Sequence, residues 1–183
     1  MSSPSPVALG LVQPSDFRRA MRYVPTTVTV VSALDGDRPI GLVVGTFTSI
    51  SMDPPLVGFF GDHRSSTLTS ILAVDRWSFN VLHQDDAVVT EAFRGPVDNR
   101  FDGLDWTASE FGTPVIIGAV ITIEAEKHLV VPTGDHSLVT GAVTTLRMGG
   151  GSRQPLVYFQ GRMTRLDPGQ IVDPAHWQLG WGA

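Results

Sequence analysis

Apolar residues recur in two different rhythms along this chain. Near the start, Phe17, Ala20, Met21 and Val24 fall at i, i+3, i+4 and i+7, one face of a helix that Ser15 can cap. After Pro25 the rhythm changes. Thr26–Leu34 is dense in Thr and Val, the composition of a strand, and it stops at Asp35-Gly36. Ile40–Phe47 predicts a second strand with Gly41 and Gly45 inside it; glycine within a strand marks a bulge or a place where a ligand approaches the backbone. Asp53-Pro54-Pro55 turns the chain into a third strand, Leu56–Phe60. A helix is predicted from Ser65 or Ser66, with Leu68, Ile71 and Leu72 on one face, then a strand over Trp77–Leu82, a helix over Asp86–Phe93 and a loop over Gly95–Trp106. Val115–Val131 and Ser137–Met148 are long β-rich stretches, and Leu156–Phe159 and Gly161–Leu166 predict the last two strands. Six or more strands with short helices point to a mainly β, antiparallel barrel and not to a parallel α/β sheet.

Composition narrows the class. The 183 residues are 42% hydrophobic and 17% charged, which excludes disorder of the whole chain and predicts one domain with a substantial core. The low charge fraction also suggests a surface buried against a second subunit. A net charge of -5 argues against a nucleic-acid footprint, which needs a clustered basic face. The absence of cysteine excludes disulfides, thiolate metal sites and cysteine nucleophiles, and it fits a reducing cytoplasm. The start of the chain lacks the pattern of a signal peptide, and the longest apolar run, Pro114–Ile123, is too short to span a bilayer. A cytoplasmic protein that uses neither nucleic acid nor membrane is expected. Its Ser/Pro-rich residues 1–13 are read as a flexible arm, 14–167 as the domain and 168–183 as a tail.

Familiar catalytic machinery is missing from the sequence. There is no G-x-S-x-G, H-E-x-x-H, Walker or dinucleotide fingerprint, and the five histidines lack metal-ligand spacing, so no metal is expected. The segment Asp62-His63-Arg64-Ser65-Ser66-Thr67 lies between a strand end and a helix start. Backbone N–H groups, three hydroxyls and a guanidinium there suit a phosphate, although the same residues also serve as an ordinary helix cap.

From Phe17 to Leu166 the sequence resembles the flavin reductase-like family of split-barrel flavoproteins, the short reductase components of two-component monooxygenases. The resemblance is carried by Phe17-Arg-Arg-Ala-Met21, Val28-Thr-Val-Val31, Phe47-Thr-Ser-Ile-Ser-Met-Asp-Pro-Pro-Leu56, Ser65-Ser-Thr67 and Phe79-Asn-Val-Leu82. It continues in Phe101-Asp-Gly-Leu-Asp-Trp106, Gly134-Asp-His136 with Gly141, and Pro155-Leu-Val-Tyr158 with Gly161. It implies a homodimer that binds FMN or FAD, oxidises NADH or NADPH and passes reduced flavin to a separate oxygenase. Both reacting centres then belong to bound molecules, which accounts for the missing catalytic motifs. The resemblance further implies that Val43, Val44, Gly45, Thr46, Phe47 and Thr48 face the flavin. Arg64, Ser65, Ser66 and Thr67 form the phosphate end in this reading. Asp98, Arg100 and Phe101 match a cofactor loop, with Arg in place of Lys and one residue inserted, and His136 matches a histidine near the nicotinamide.

Departures from the family pattern sit in the flavin-facing segment. Gly41-Leu-Val-Val-Gly-Thr-Phe47 stands where Gly-Met-Thr-Val-Ser-Ser-Phe is common, so hydroxyls are missing at Val43 and Gly45 and one is kept at Thr46. If those hydroxyls bond the flavin, each loss costs on the order of 1 kcal/mol, while backbone contacts survive. Met163 stands where an aromatic is common. The alternative reading is a split-barrel protein that holds flavin tightly without nicotinamide turnover. An oxidase of the pyridoxamine-phosphate type is disfavoured by the scarcity of basic residues.

Overall fold

The computed structural model describes residues 12–150 and 154–167. The expected tail, and the expected arm up to residue 11, lie outside the described residues. Helix α1 (Pro14–Met21) starts two residues earlier than a Ser15 cap would set it, with Gln13 at the cap position. Pro14 occupies the first turn, where its missing N–H leaves nothing unsatisfied, and the Gln13 carbonyl accepts from Asp16 N and Phe17 N, both at 3.0 Å. The strand read over residues 26–34 divides into β1 (Thr26–Thr27) and β2 (Thr29–Asp35), because Val28 N turns aside to the Leu156 carbonyl. β3 (Arg38–Val44), β4 (Thr48–Met52) and β5 (Pro55–Asp62) follow. β4 escaped the hydrophobic pattern because it is an edge strand of alternating exposed and half-buried residues. The Asp53–Pro54 peptide between β4 and β5 is cis.

Next come α2 (Ser66–Ala73), β6 (Arg76–Val81), α3 (Ala87–Ala92), and β7 (Trp106–Ala108) paired with β8 (Pro114–Ile116). The β-rich stretch 115–131 is broken at Gly118, whose φ of +89° turns β8 into β9 (Ile121–Thr133). Gly134, at φ +66°, closes the hairpin to β10 (His136–Met148). β11 (Val157–Phe159) and β12 (Arg162–Thr164) join β1 in a small sheet.

The main sheet has seven antiparallel strands in the order β3-β2-β6-β9-β10-β5-β4. It curls until the end of β3 meets β5 without ladder pairing, so the barrel is split along that seam. Thr46 latches the seam: its hydroxyl accepts from Phe60 N at 3.0 Å and donates to Phe60 O at 3.1 Å. Trp77, Phe59 and Phe79 are completely buried inside the barrel, each contributing about 1.5–3 kcal/mol by area. A second apolar cluster, with Val28, Leu82, Phe93, Phe101 and Leu156, lies under the α3 loop.

The β7–β8 hairpin is tied down by buried polar groups. Ser32 Oγ donates to Pro114 O at 3.0 Å, and Asn80 Oδ1 accepts from Ile116 N at 3.1 Å and from Thr122 Oγ1 at 3.2 Å. The fully buried Glu124 accepts from Thr113 Oγ1 at 2.6 Å and pairs with Arg147 at 2.9 Å. These bonds anchor β8, the partner of β7, at the far end of the loop that carries Arg94 and Arg100. Among the described residues, no helix is long and apolar enough to cross a membrane.

Candidate functional site

A cavity of about 480 Å³ opens along the split seam. It is walled by Leu42–Thr46 at the end of β3, Phe60–Asp62 at the end of β5, the start of α2, and the loop after α3. Two glycines permit this arrangement. A Cβ at Gly61 would lie 2.6 Å from the Leu68 side chain, so glycine lets the first turn of α2 settle against β5. A Cβ at Gly41 would lie 2.9 Å from Val31 O, 3.0 Å from Phe93 and 3.2 Å from Phe101, so glycine lets the loop aromatics reach β3. At Gly41, therefore, the strand glycine admits the protein's own rings.

Of the residues expected at the site, the cavity brings together Val43, Val44, Gly45, Thr46, Ser65, Thr67, Arg100 and His136. The other expected residues are placed elsewhere. Phe47 turns inward and stacks on Phe79 with ring centroids 5.1 Å apart. Phe101 is buried between Phe93 at 5.3 Å and Trp106 at 5.7 Å, a prop for the loop and not part of the cavity wall. Asp98 pairs with Arg38 on the surface, and Thr48 lies on edge strand β4. Ser66 occupies the outer side of the α2 start and is exposed. Arg64 is not among the residues lining the cavity: it is 83% exposed and clasps Asp62, with Nη2 2.6 Å from Oδ2 and Nε 3.1 Å from Oδ1.

Several lining residues had no readable signal in the sequence. Arg94 ends the α3 segment beside Glu91 and reads as an ordinary surface pair, yet it reaches the cavity rim. Phe60, Phe93 and Thr90 are indistinguishable from core positions until the seam is seen, and Asp62 reads as part of the cap.

The cavity is electrostatically uneven. Arg100 donates through Nη1 to Gly41 O at 2.9 Å and to Thr67 Oγ1 at 3.1 Å, tying the loop to both β3 and α2. Burial draws its guanidinium below the ordinary arginine value, but it remains a cation. The first N–H groups of α2 have no partner within the helix, and the Ser65 hydroxyl takes that of Leu68 at 3.1 Å. Arg94, Arg100, Ser65 and Thr67 therefore form a donor-rich end suited to a phosphate. Hydrogen bonding from Arg64 holds the Asp62 carboxyl well below the usual carboxylate range. On β10, directly opposite Asp62 in the ladder, His136 bonds through Nδ1 to Asp135 Oδ1 at 2.7 Å, which keeps the Asp135 carboxyl low in the same way. Val43–Thr46 supply the remaining wall, where a flat apolar ring can lie against strand backbone. Among the described residues, no group of three or more His, Asp or Glu is placed to hold a metal ion.

Comparison with known proteins agrees with this geometry. A family model described as a flavin reductase-like domain matches residues 21–167. The reductase subunit HsaB of a flavin-dependent monooxygenase from Mycobacterium tuberculosis is 32% identical over 168 residues, covering 91% of this chain and 89% of that protein. An NADH:FMN oxidoreductase from Rhodococcus qingshengii is 31% identical, covering 84% of this chain and 82% of the relative. The solved structure of the Streptomyces globisporus NADH:FAD oxidoreductase SgcE6, in complex with NAD and FAD fragments, superposes with a TM-score of 0.79 at 31% identity. It covers 86% of this chain and 97% of that one.

Proposed function

This chain belongs to the flavin reductase-like family, and from that premise we propose that it is an NAD(P)H:flavin oxidoreductase that supplies reduced FMN or FAD to a separate oxygenase. The observation that carries the reading is the seam cavity, with two arginines and a helix start at one end and a backbone-lined wall at the other. Its donor set fits a flavin: cations and hydroxyls for a phosphate, and strand backbone beside apolar side chains for a ring. The chemistry supplied by the bound pair is hydride transfer from nicotinamide to flavin.

The chain's own residues bind, orient and shield. Arg100, Arg94, Ser65 and Thr67 hold the phosphate end. Val43–Thr46 present main-chain groups to the ring, and Leu42, Phe60, Phe93 and Met163 exclude water around it. His136, steadied by Asp135, orients the second substrate. The cytoplasm is the proposed location, supported by the absence of cysteine.

A homodimer is part of the proposal. α1 buries none of its residues, and Phe17 and Tyr23 are 60% and 64% exposed. The neighbouring Met21 and Val24 line a second, apolar cavity, so a second copy has an apolar surface to cover beside the site. A separate oxygenase partner is supported by the relative that is itself a monooxygenase reductase subunit.

The test is anaerobic oxidation of NADH and NADPH by the purified protein, with and without added FMN or FAD. Turnover that depends on flavin is expected. A protein that binds flavin but leaves both nicotinamides unoxidised would overturn the proposal in favour of a flavin-holding module.

A further inference from the structure

Two cavities share the 43–46 wall. Besides the seam cavity, an apolar cavity of about 400 Å³ lies on the side facing β1, lined by Met21, Val24, Thr26, Val28, Tyr158 and Met163 together with that wall. Val43, Val44 and Gly45 offer the wall no polar side chain. The hydroxyl of Thr46 is occupied in both directions by the main chain of Phe60, as acceptor at 3.0 Å and donor at 3.1 Å. The hydroxyl retained at Thr46 therefore closes the barrel seam.

One further hydroxyl reaches the wall from another strand. Thr26 lies on β1, paired with Tyr158, and its Oγ1 occupies the space beside Gly45: a Cβ added there would sit 2.7 Å from it. Thr26 Oγ1 has no hydrogen-bond partner among the described residues, although its cavity surroundings are mostly apolar. A hydroxyl in such surroundings gains most from a polar atom brought by a ligand. Glycine at 45 gives this hydroxyl its access to the wall.

We propose that Thr26 is a flavin-contacting residue, whose hydroxyl, admitted by Gly45, hydrogen-bonds the polar edge of the ring held on the 43–46 wall. This rests on the reading that this wall receives the ring. The pair acts as a unit. Thr26 supplies the bond, and Gly45 keeps the space that a side chain would close.

The experiment is fluorescence titration of the full chain with FMN and with riboflavin, with melting temperature as a check on folding. Thr26→Val keeps the shape and removes the hydroxyl, and it should weaken both ligands by about three- to tenfold, the loss of one hydrogen bond. Thr26→Ser should bind within about twofold of the parent, since it keeps the donor. Gly45→Ala should weaken both ligands as Thr26→Val does, by displacing the hydroxyl. In a Thr26→Ala background, Gly45→Ala should have no further effect, because nothing remains to displace. Unchanged affinity in Thr26→Val, or equal losses in Thr26→Val and Thr26→Ser, would overturn the proposal. If Thr26→Val does not fold, Gly45→Ala decides: unchanged affinity there overturns it. Failure of the underlying reading looks different, as a parent protein that binds neither ligand or an Arg100→Ala variant that binds FMN as the parent does.

Discussion

Under the proposed function, the two ends of the seam cavity recognise a ligand by different physics. At the α2 end, recognition depends on side chains: Arg100 is fixed by three acceptors, the Thr67 hydroxyl and the carbonyls of Gly41 and Gly95, and Arg94 stands beside it. At the β3 end, recognition depends on main chain and on space, with Val43, Val44 and Gly45 contributing no polar side chain. Substitution at the first end removes a charge. At the second it alters shape, so a wall of valine and glycine can still receive a ring through its main chain.

His136 lines the cavity opposite Asp62 in the β5–β10 ladder, and the proposed function makes it the residue that separates rate from binding. His136→Ala should slow flavin reduction by about a hundredfold through lost positioning and raise the apparent KM for the nicotinamide. FMN affinity and melting temperature should stay near those of the parent. Stopped-flow reduction and calorimetry on the same variant check this. Lowered stability with an unchanged reduction rate would make His136 a turn residue and remove it from the site.

The next effect contrasts two arginines. Arg100→Ala removes a charge-assisted contact of about 1.5–3 kcal/mol, so FMN affinity should fall at least about tenfold, with a much smaller change for riboflavin. Arg64→Ala should change FMN affinity less than about threefold, because an exposed guanidinium already paired with a carboxylate contributes little. Titration of both variants with both ligands decides. Equal losses would mean that Arg64 leaves Asp62 and swings to the phosphate on binding.

Those two arginines also mark the limit of what the sequence makes legible. Apolar spacing places α2, and dense apolar and β-branched composition places β5, β6 and the β9–β10 hairpin, whose buried stretches include both faces. The anion-suited segment singles out Ser65 and Thr67 and the family resemblance singles out Arg100 and His136, and all four line the seam cavity. The sequence does not reveal that the curl of the sheet turns Phe47 into the core beside Phe79, since an apolar residue at a strand end suits core and ring contact equally. Nor does it reveal that Arg64 folds back onto Asp62, two residues earlier, or that Arg94 approaches the cavity, which arises where segments distant in sequence meet. The glycine signal at 41 and 45 is legible as close approach. What approaches is Phe93 and Phe101 in one case and Thr26 in the other.

At the wall itself, Thr46→Val tests the latch. It removes both bonds to Phe60 and should cost about 1 kcal/mol of stability, read as a shift in the denaturation midpoint without a change in slope. Arg100→Ala acts at the other end and should leave the seam intact. A Thr46→Val variant of unchanged stability that nevertheless loses flavin affinity would mean that its hydroxyl serves the ligand and not the seam.

The smallest effect concerns Asp62, which restrains Arg64 at the charged end. Its folded-state pKa lies below the unfolded value of 3.8, chiefly through the Arg64 hydrogen bond, so the ionised form favours the folded state. That contribution is complete at pH values above 3.8 and is lost as pH falls through the lower folded value. Asp62→Asn should therefore lower the melting temperature slightly at neutral pH, and the two proteins should converge in strong acid. The same substitution frees Arg64 and removes a negative charge from the cavity wall. FMN affinity at neutral pH should then rise by less than about threefold, with riboflavin unaffected, as for an exposed ion pair. In this background Arg64→Ala should cancel part of that gain, whereas in the parent it changes little. An Asp62→Asn protein that binds FMN more weakly would show that the carboxylate itself serves the ligand, and the division between a charged end and a main-chain wall would have to be redrawn.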